Sequence, residues 1–156
     1  MTAQIPYHSG ILVDDIGAAA ARFTAEIGYE FNEPTSITVP RFEDRLAGTE
    51  GEVTLSAVYS RSGPHRLELI AAQGDGIYSP ARAGLHHLGI WESAMPARLA
   101  DLEAAPDTVV EAVLWRKDGG ISAIYARSTS TGTRLEYVND DRREALERWF
   151  DTGVFS

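Results

Sequence analysis

The chain has 156 residues, 44% of them apolar and 24% charged, which is the make-up of one compact globular domain whose core needs no disulfide or zinc staple. It has no cysteine, hence neither disulfides nor thiolate metal sites, and its net charge of −9 with no basic stripe excludes nucleic acid as a natural partner. No apolar run nears the roughly 20 residues that span a bilayer, and MTAQIPYHSG lacks the basic start and apolar stretch of a signal peptide, so a cytoplasmic location is expected.

In chain order, His8 to Val13 reads as a strand, with Ile11 and Val13 on one face and His8, Gly10 and Leu12 on the other. Asp14 or Asp15 can cap a helix in which Ile16, Ala20, Phe23 and Ile27 recur at helical spacing until Gly28 stops it. Tyr29 to Pro40 is expected to be a strand, and the charged segment Arg41 to Gly51 an exposed loop able to cover a site. Val53 to Tyr59 alternates as a strand, with Glu52 in phase with Thr54 and Ser56. Arg66 to Ile70 returns as a strand with Leu67 and Leu69 inward and Glu68 on the opposite face. The turn-rich stretch of about 73–83 is a linker.

The second half follows the same order. His87, Gly89 and Trp91 share one face of a strand, and Ser93 can cap a helix with Pro96 in its first turn and Met95, Leu99 and Leu102 on one side. Thr108 to Trp115 and Ile121 to Ala126 form a hairpin around Lys117-Asp118-Gly119-Gly120, and Arg134 to Val138 is the last strand. A short helix over about 140–150 presents Leu146, Trp149 and Phe150 on one face, to cover a sheet or a partner subunit.

The two halves are copies. YHSGILVDD at Tyr7 to Asp15 is restated as GLHHLGIWE at Gly84 to Glu92, with His8 matched to His87 at a period of 79, and RLELI around Glu68 is restated as RLEYV around Glu136. Module one covers about 5–72 and module two about 84–139, each reading strand, helix, strand, strand, strand, in one domain over 1–156. With these motifs the chain resembles the vicinal oxygen chelate superfamily, which includes glyoxalase I, methylmalonyl-CoA epimerase, extradiol dioxygenases and bleomycin-resistance proteins. The resemblance implies an α+β fold in which two βαβββ modules pair into a curved, cup-shaped mixed sheet around one metal, followed here by the short C-terminal helix. It also implies a homodimer.

By that resemblance the metal ligands are His8, Glu68, His87 and Glu136, a set like that of bacterial glyoxalase I. Imidazole and carboxylate suit one divalent ion of the Ni, Co, Mn, Zn or Fe kind. His86 is expected to pack or hydrogen-bond near the strand start. Counting back from the ELI motif, Glu52 resembles the base of methylmalonyl-CoA epimerases; Glu136 or Glu68 could leave the metal and serve instead, as in glyoxalase I. Trp91 is a candidate wall of a substrate pocket. The expected activity is that of a metal-dependent isomerase or epimerase, or a glyoxalase-type lyase, acting on a small carbonyl substrate through a stabilised enolate. The alternatives are an Fe(II) extradiol-type dioxygenase and a non-catalytic small-molecule-binding protein of the same fold.

Overall fold

In the computed structural model, which describes residues 2–155, the first half comprises β1 (His8–Val13), α1 (Ile16–Ile27), β2 (Thr35–Asp44), β3 (Thr49–Tyr59) and β4 (Arg66–Ala71). The second half repeats the order as β5 (Gly84–Glu92), α2 (Met95–Ala104), β6 (Thr108–Trp115), β7 (Ile121–Ser128) and β8 (Arg134–Asn139), and α3 (Arg143–Thr152) ends the chain. The α+β architecture is the expected one, and its mixed sheet curves until it closes, in the order β1-β4-β3-β2-β6-β7-β8-β5 with β5 returning to β1. Within each half the first and last strands run parallel, β1 beside β4 and β5 beside β8. Neighbours elsewhere are antiparallel, including the two seams between the halves, β1 with β5 and β2 with β6.

Local chemistry sets the elements. Asp15 caps α1 by accepting from the Ala18 N–H at 2.9 Å, and Gly28, at φ 77°, ends it in the left-handed conformation that glycine adopts without cost. Ile16, Ala20 and Phe23 pack against the outer faces of β1 and β4, while Ile27 stays exposed at the helix end. Ser93 does not cap α2. The N-cap of α2 is Ala94, with no side-chain cap bond; Glu92 accepts from the Ala94 N–H at 3.0 Å and holds Arg98 at 2.6 Å, and Met95 and Leu102 face the second core cluster.

Two segments read from sequence as connections belong to the packed body. Arg41 to Gly51 is not an exposed loop: β2 runs through Pro40 with a shift of register, Arg41–Asp44 pair with Trp115–Ala112 of β6, and Phe42 and Asp44 are buried. The charges that suggested a loop are the outward half of a strand alternation, and the turn itself is only 45–48, where Asp44 accepts from the Leu46 and Ala47 N–H groups at 3.1 Å. The linker likewise feeds Ile77 and Tyr78 into the core, where the Ile77 N–H donates to Asp44 at 3.0 Å.

The last helix packs inside the chain's own outline. Trp149 and Phe150 are buried against Tyr59 and Tyr7, with Phe150 stacked on Tyr59 at 3.9 Å between ring centres, so the apolar face that sequence left open for a partner is already covered. Asp151 fixes it to β4 through Arg66 at 2.7 Å. No helix among the described residues is long and apolar enough to cross a membrane.

Candidate metal centre

Four buried side chains meet inside the closed sheet: His8 from β1, Glu68 from β4, His87 from β5 and Glu136 from β8. The strand order makes this inevitable, because β4, β1, β5 and β8 are consecutive neighbours in the ring. His8 Nε2 lies 3.0 Å from His87 Nε2, 3.4 Å from Glu68 Oε1 and 3.2 Å from Glu136 Oε1; His87 Nε2 lies 3.1 and 3.5 Å from the same two oxygens. Ligand bonds of about 2.0–2.2 Å to one ion set donor separations of roughly 3.0–3.4 Å. The donors therefore stand as a single small cation would hold them. Oxygen Oε1 of both glutamates is buried without a hydrogen-bond donor among the described residues, and the two carboxylates carry the charge that balances a divalent ion.

Both histidines need a missing side chain opposite them. In the antiparallel seam of β1 and β5, His8 pairs with Gly89 and Gly10 with His87. Each ring lies over the partner glycine, where no Cβ could fit. The H-x-G spacing in both strands is thus a packing requirement of the centre.

Hydrogen bonds fix the His87 ring from behind. His86 Nε2 lies 2.7 Å from the Ile77 carbonyl, which can only accept, so that nitrogen carries the proton and His86 Nδ1 is left as an acceptor. At 2.9 Å from it, His87 Nδ1 must then be the donor, which leaves the His87 Nε2 lone pair aimed at the two glutamates. Burial, and then the neighbouring His87, hold the His86 pKa down at about 4, so it stays neutral in this role. Ile77 is itself tied to Asp44, making a chain of four groups from the β2–β3 turn to the centre. His8 is held differently, by edge contacts with Tyr7 and Tyr59 at 4.4 and 5.2 Å between ring centres. Burial alone would lower its pKa, but the carboxylates of Glu136 and Glu68 beside it outweigh burial and raise it to about 9. Burial pushes Glu68 up, and the imidazoles of His8 and His87 beside it more than reverse this, keeping it well below the usual carboxylate range.

The centre opens on a cavity of about 710 Å³ whose floor includes Glu68 and Glu136. Tyr7, Tyr59, Tyr78 and Tyr125 stand around it, and burial raises all four well above the normal phenol value, so they remain protonated donors. Helix α3 contributes Leu146, Trp149 and Phe150. Two expected site residues lie elsewhere. Glu52 is exposed on the outer face of β3, because the cavity takes the apolar phase of that strand, Leu55, Ala57 and Tyr59. Trp91 stacks behind Tyr7 at 4.0 Å between ring centres and supports the wall without forming it. His86 hydrogen-bonds near the strand start as expected, though its partners were not legible; the residue missed from sequence is Tyr7, adjacent to His8 in a repeat motif.

A model described as the Glyoxalase/Bleomycin resistance protein/Dioxygenase superfamily matches residues 7–125. The chain belongs to this superfamily. Among solved structures, this superfamily member is similar to a hypothetical protein, BH1468, from Bacillus halodurans C-125, at 14% identity and a TM-score of 0.58 over 88% of this chain and 95% of that one. A methylmalonyl-CoA epimerase in complex with methylmalonyl-CoA and NH4+ gives the same figures, and the methylmalonyl-CoA epimerase from Mycobacterium tuberculosis aligns at 14% identity and a TM-score of 0.55 over 94% of this chain and 96% of that one. At such identity the likeness is one of fold. No curated protein matches the chain.

Proposed function

We propose that the protein is a metal-dependent isomerase or epimerase that moves a proton beside the carbonyl of a small substrate. The observation that carries this reading is the convergence of two imidazole nitrogens and two carboxylate oxygens at 3.0–3.5 Å on the floor of a substrate-sized cavity. His8, Glu68, His87 and Glu136 hold one divalent ion of the Ni, Co, Mn, Zn or Fe kind, which supplies Lewis acidity to a carbonyl oxygen and stabilises the charge that develops on it.

The chain's own groups do the rest. Of the two buried carboxylates on the cavity floor, Glu136 takes the proton from carbon and returns it. Glu52, exposed on β3 and outside the cavity lining, is given no part in the transfer. Tyr59 and Phe150 close the wall beside the centre and keep bulk water from it.

The test pairs metal analysis of protein purified without chelators with deuterium incorporation at the acidic C–H of candidate acyl thioesters and hydroxyketones, for wild type and His87→Ala. Stoichiometric metal and exchange, both lost in the variant, are expected. Protein that holds no metal and gains no thermal stability from any of these ions overturns the reading. A binding protein without catalysis is the second reading, favoured because the carboxylates lining the cavity among the described residues are Glu68, Glu136 and, on the β6–β7 turn, Asp118; it is expected to give ligand-dependent stabilisation with no exchange.

A further inference from the structure

Resting on that reading, we propose that the site takes an uncharged substrate with a bulky apolar body, which enters oxygens first and receives a hydrogen bond from Tyr7. Three independent observations carry this.

The first is the wall. Above the two glutamates the cavity is bounded by side chains such as Ile37, Val39, Leu55, Ile70, Leu114 and Val138, with aromatic rings of both halves and α3 around them. At about 710 Å³ it holds a drug-sized body, and such a surface gains affinity only by covering apolar area.

The second is charge. The basic residues lining the cavity among those described are Arg116 and Lys117, on the β6–β7 connection, and Arg142, in the short 3-10 helix Asp140–Arg142 before α3. Arg116 is already engaged by Asp141 through two contacts of 2.7 Å. The two buried carboxylates are matched by the one ion they would hold, no side-chain cation stands on the inner wall among the described residues, and the chain as a whole carries −9, so a polyphosphate tail or other anionic body is neither steered in nor paired along the wall. This sets the site apart from one built for a coenzyme A ester, the molecule in the complex of the similar epimerase.

The third is the Tyr7 hydroxyl. It is buried on the cavity wall and has no hydrogen-bond partner among the described residues. An orphaned donor beside the centre calls for an acceptor oxygen from the ligand. Tyr7 is therefore a specificity residue: it reads an oxygen at the leading end of a molecule whose remainder is apolar.

The experiment titrates the protein, loaded with Zn or Ni and separately metal-free, with 2,3-butanedione, 1-phenyl-1,2-propanedione, oxalate and malonyl-CoA, following quenching of the cavity tryptophans. The phenyl dione is expected to bind at least tenfold more tightly than butanedione in both forms, and more tightly than either anion in the loaded form. Tyr7→Phe is expected to weaken dione binding several-fold while metal content stays unchanged. Tighter binding of oxalate or malonyl-CoA, or no gain from the phenyl ring, overturns the proposal. A protein that takes no metal yet still ranks the ligands this way defeats the catalytic reading and leaves the apolar ligand class standing.

Discussion

The imidazole of His87 fills the space in front of Gly10: a methyl group there would lie 1.9 Å from His87 Cε1, and a methyl at Gly89 would lie 1.9 Å from His8 Cε1. Gly10→Ala and Gly89→Ala therefore force a ring out of the centre or push β1 from β5. Each is expected to cost about 1–3 kcal/mol of stability, as overpacking does, and to lower metal uptake at least about tenfold. Thermal melts with metal analysis check both; wild-type uptake in either variant would show that the rings can shift without losing the site.

His86 orients His87 through a donor on one side and an acceptor on the other. His86→Phe removes both and is expected to weaken metal binding by about 10–100-fold. His86→Gln supplies an amide N–H for the Ile77 carbonyl and an oxygen for the His87 N–H, and is expected to restore most of the loss.

Asp151 links α3 to β4, and its pKa is held down by Arg66 at 2.7 Å and by the Ser62 N–H at 2.8 Å. A carboxyl depressed in the folded state stabilises above its unfolded value, about 3.9, and this contribution disappears as pH falls through the lower folded value. Acid should therefore loosen α3 before the rest of the fold, by a modest amount because the carboxylate is half exposed and screened by salt. Trp149 fluorescence follows the change, and Asp151→Asn should remove that part of its pH dependence.

Glu52→Gln is expected to leave proton exchange and metal content unchanged, since the side chain projects from the outer face of β3. A large loss of exchange would return Glu52 to the chemistry and require that strand to turn over.

Much of the centre was legible because duplication writes it twice. The His8 and His87 motifs and the two R-L-E strands announce equivalent positions, and the strand periodicity puts each donor on the same face as the next. Phase alone does not say which face looks inward. Around β4 the outer side is covered by α1, so Leu69 packs outward and Glu68 inward; on β3 the outer side meets solvent, so the polar phase with Glu52 goes out and the apolar phase lines the cavity. The bond from His86 to Ile77 joins positions on either side of a turn, and no local pattern encodes it. The strand through Arg41 to Asp44 was hidden for a related reason: besides its hairpin with β3 it pairs with β6, which lies in the other half of the chain.

The centre takes one imidazole and one carboxylate from each half, with His8 near the start of the chain and Glu136 near its end. An ion bound there is in effect a cross-link across almost the entire polypeptide, the role a disulfide fills elsewhere and one this chain, without cysteine, cannot fill with sulfur. Tying residues so far apart restricts the unfolded ensemble more than tying neighbours does. Metal loading should then slow unfolding of both halves together, so that a chelator acts on this molecule as a reductant acts on a secreted one.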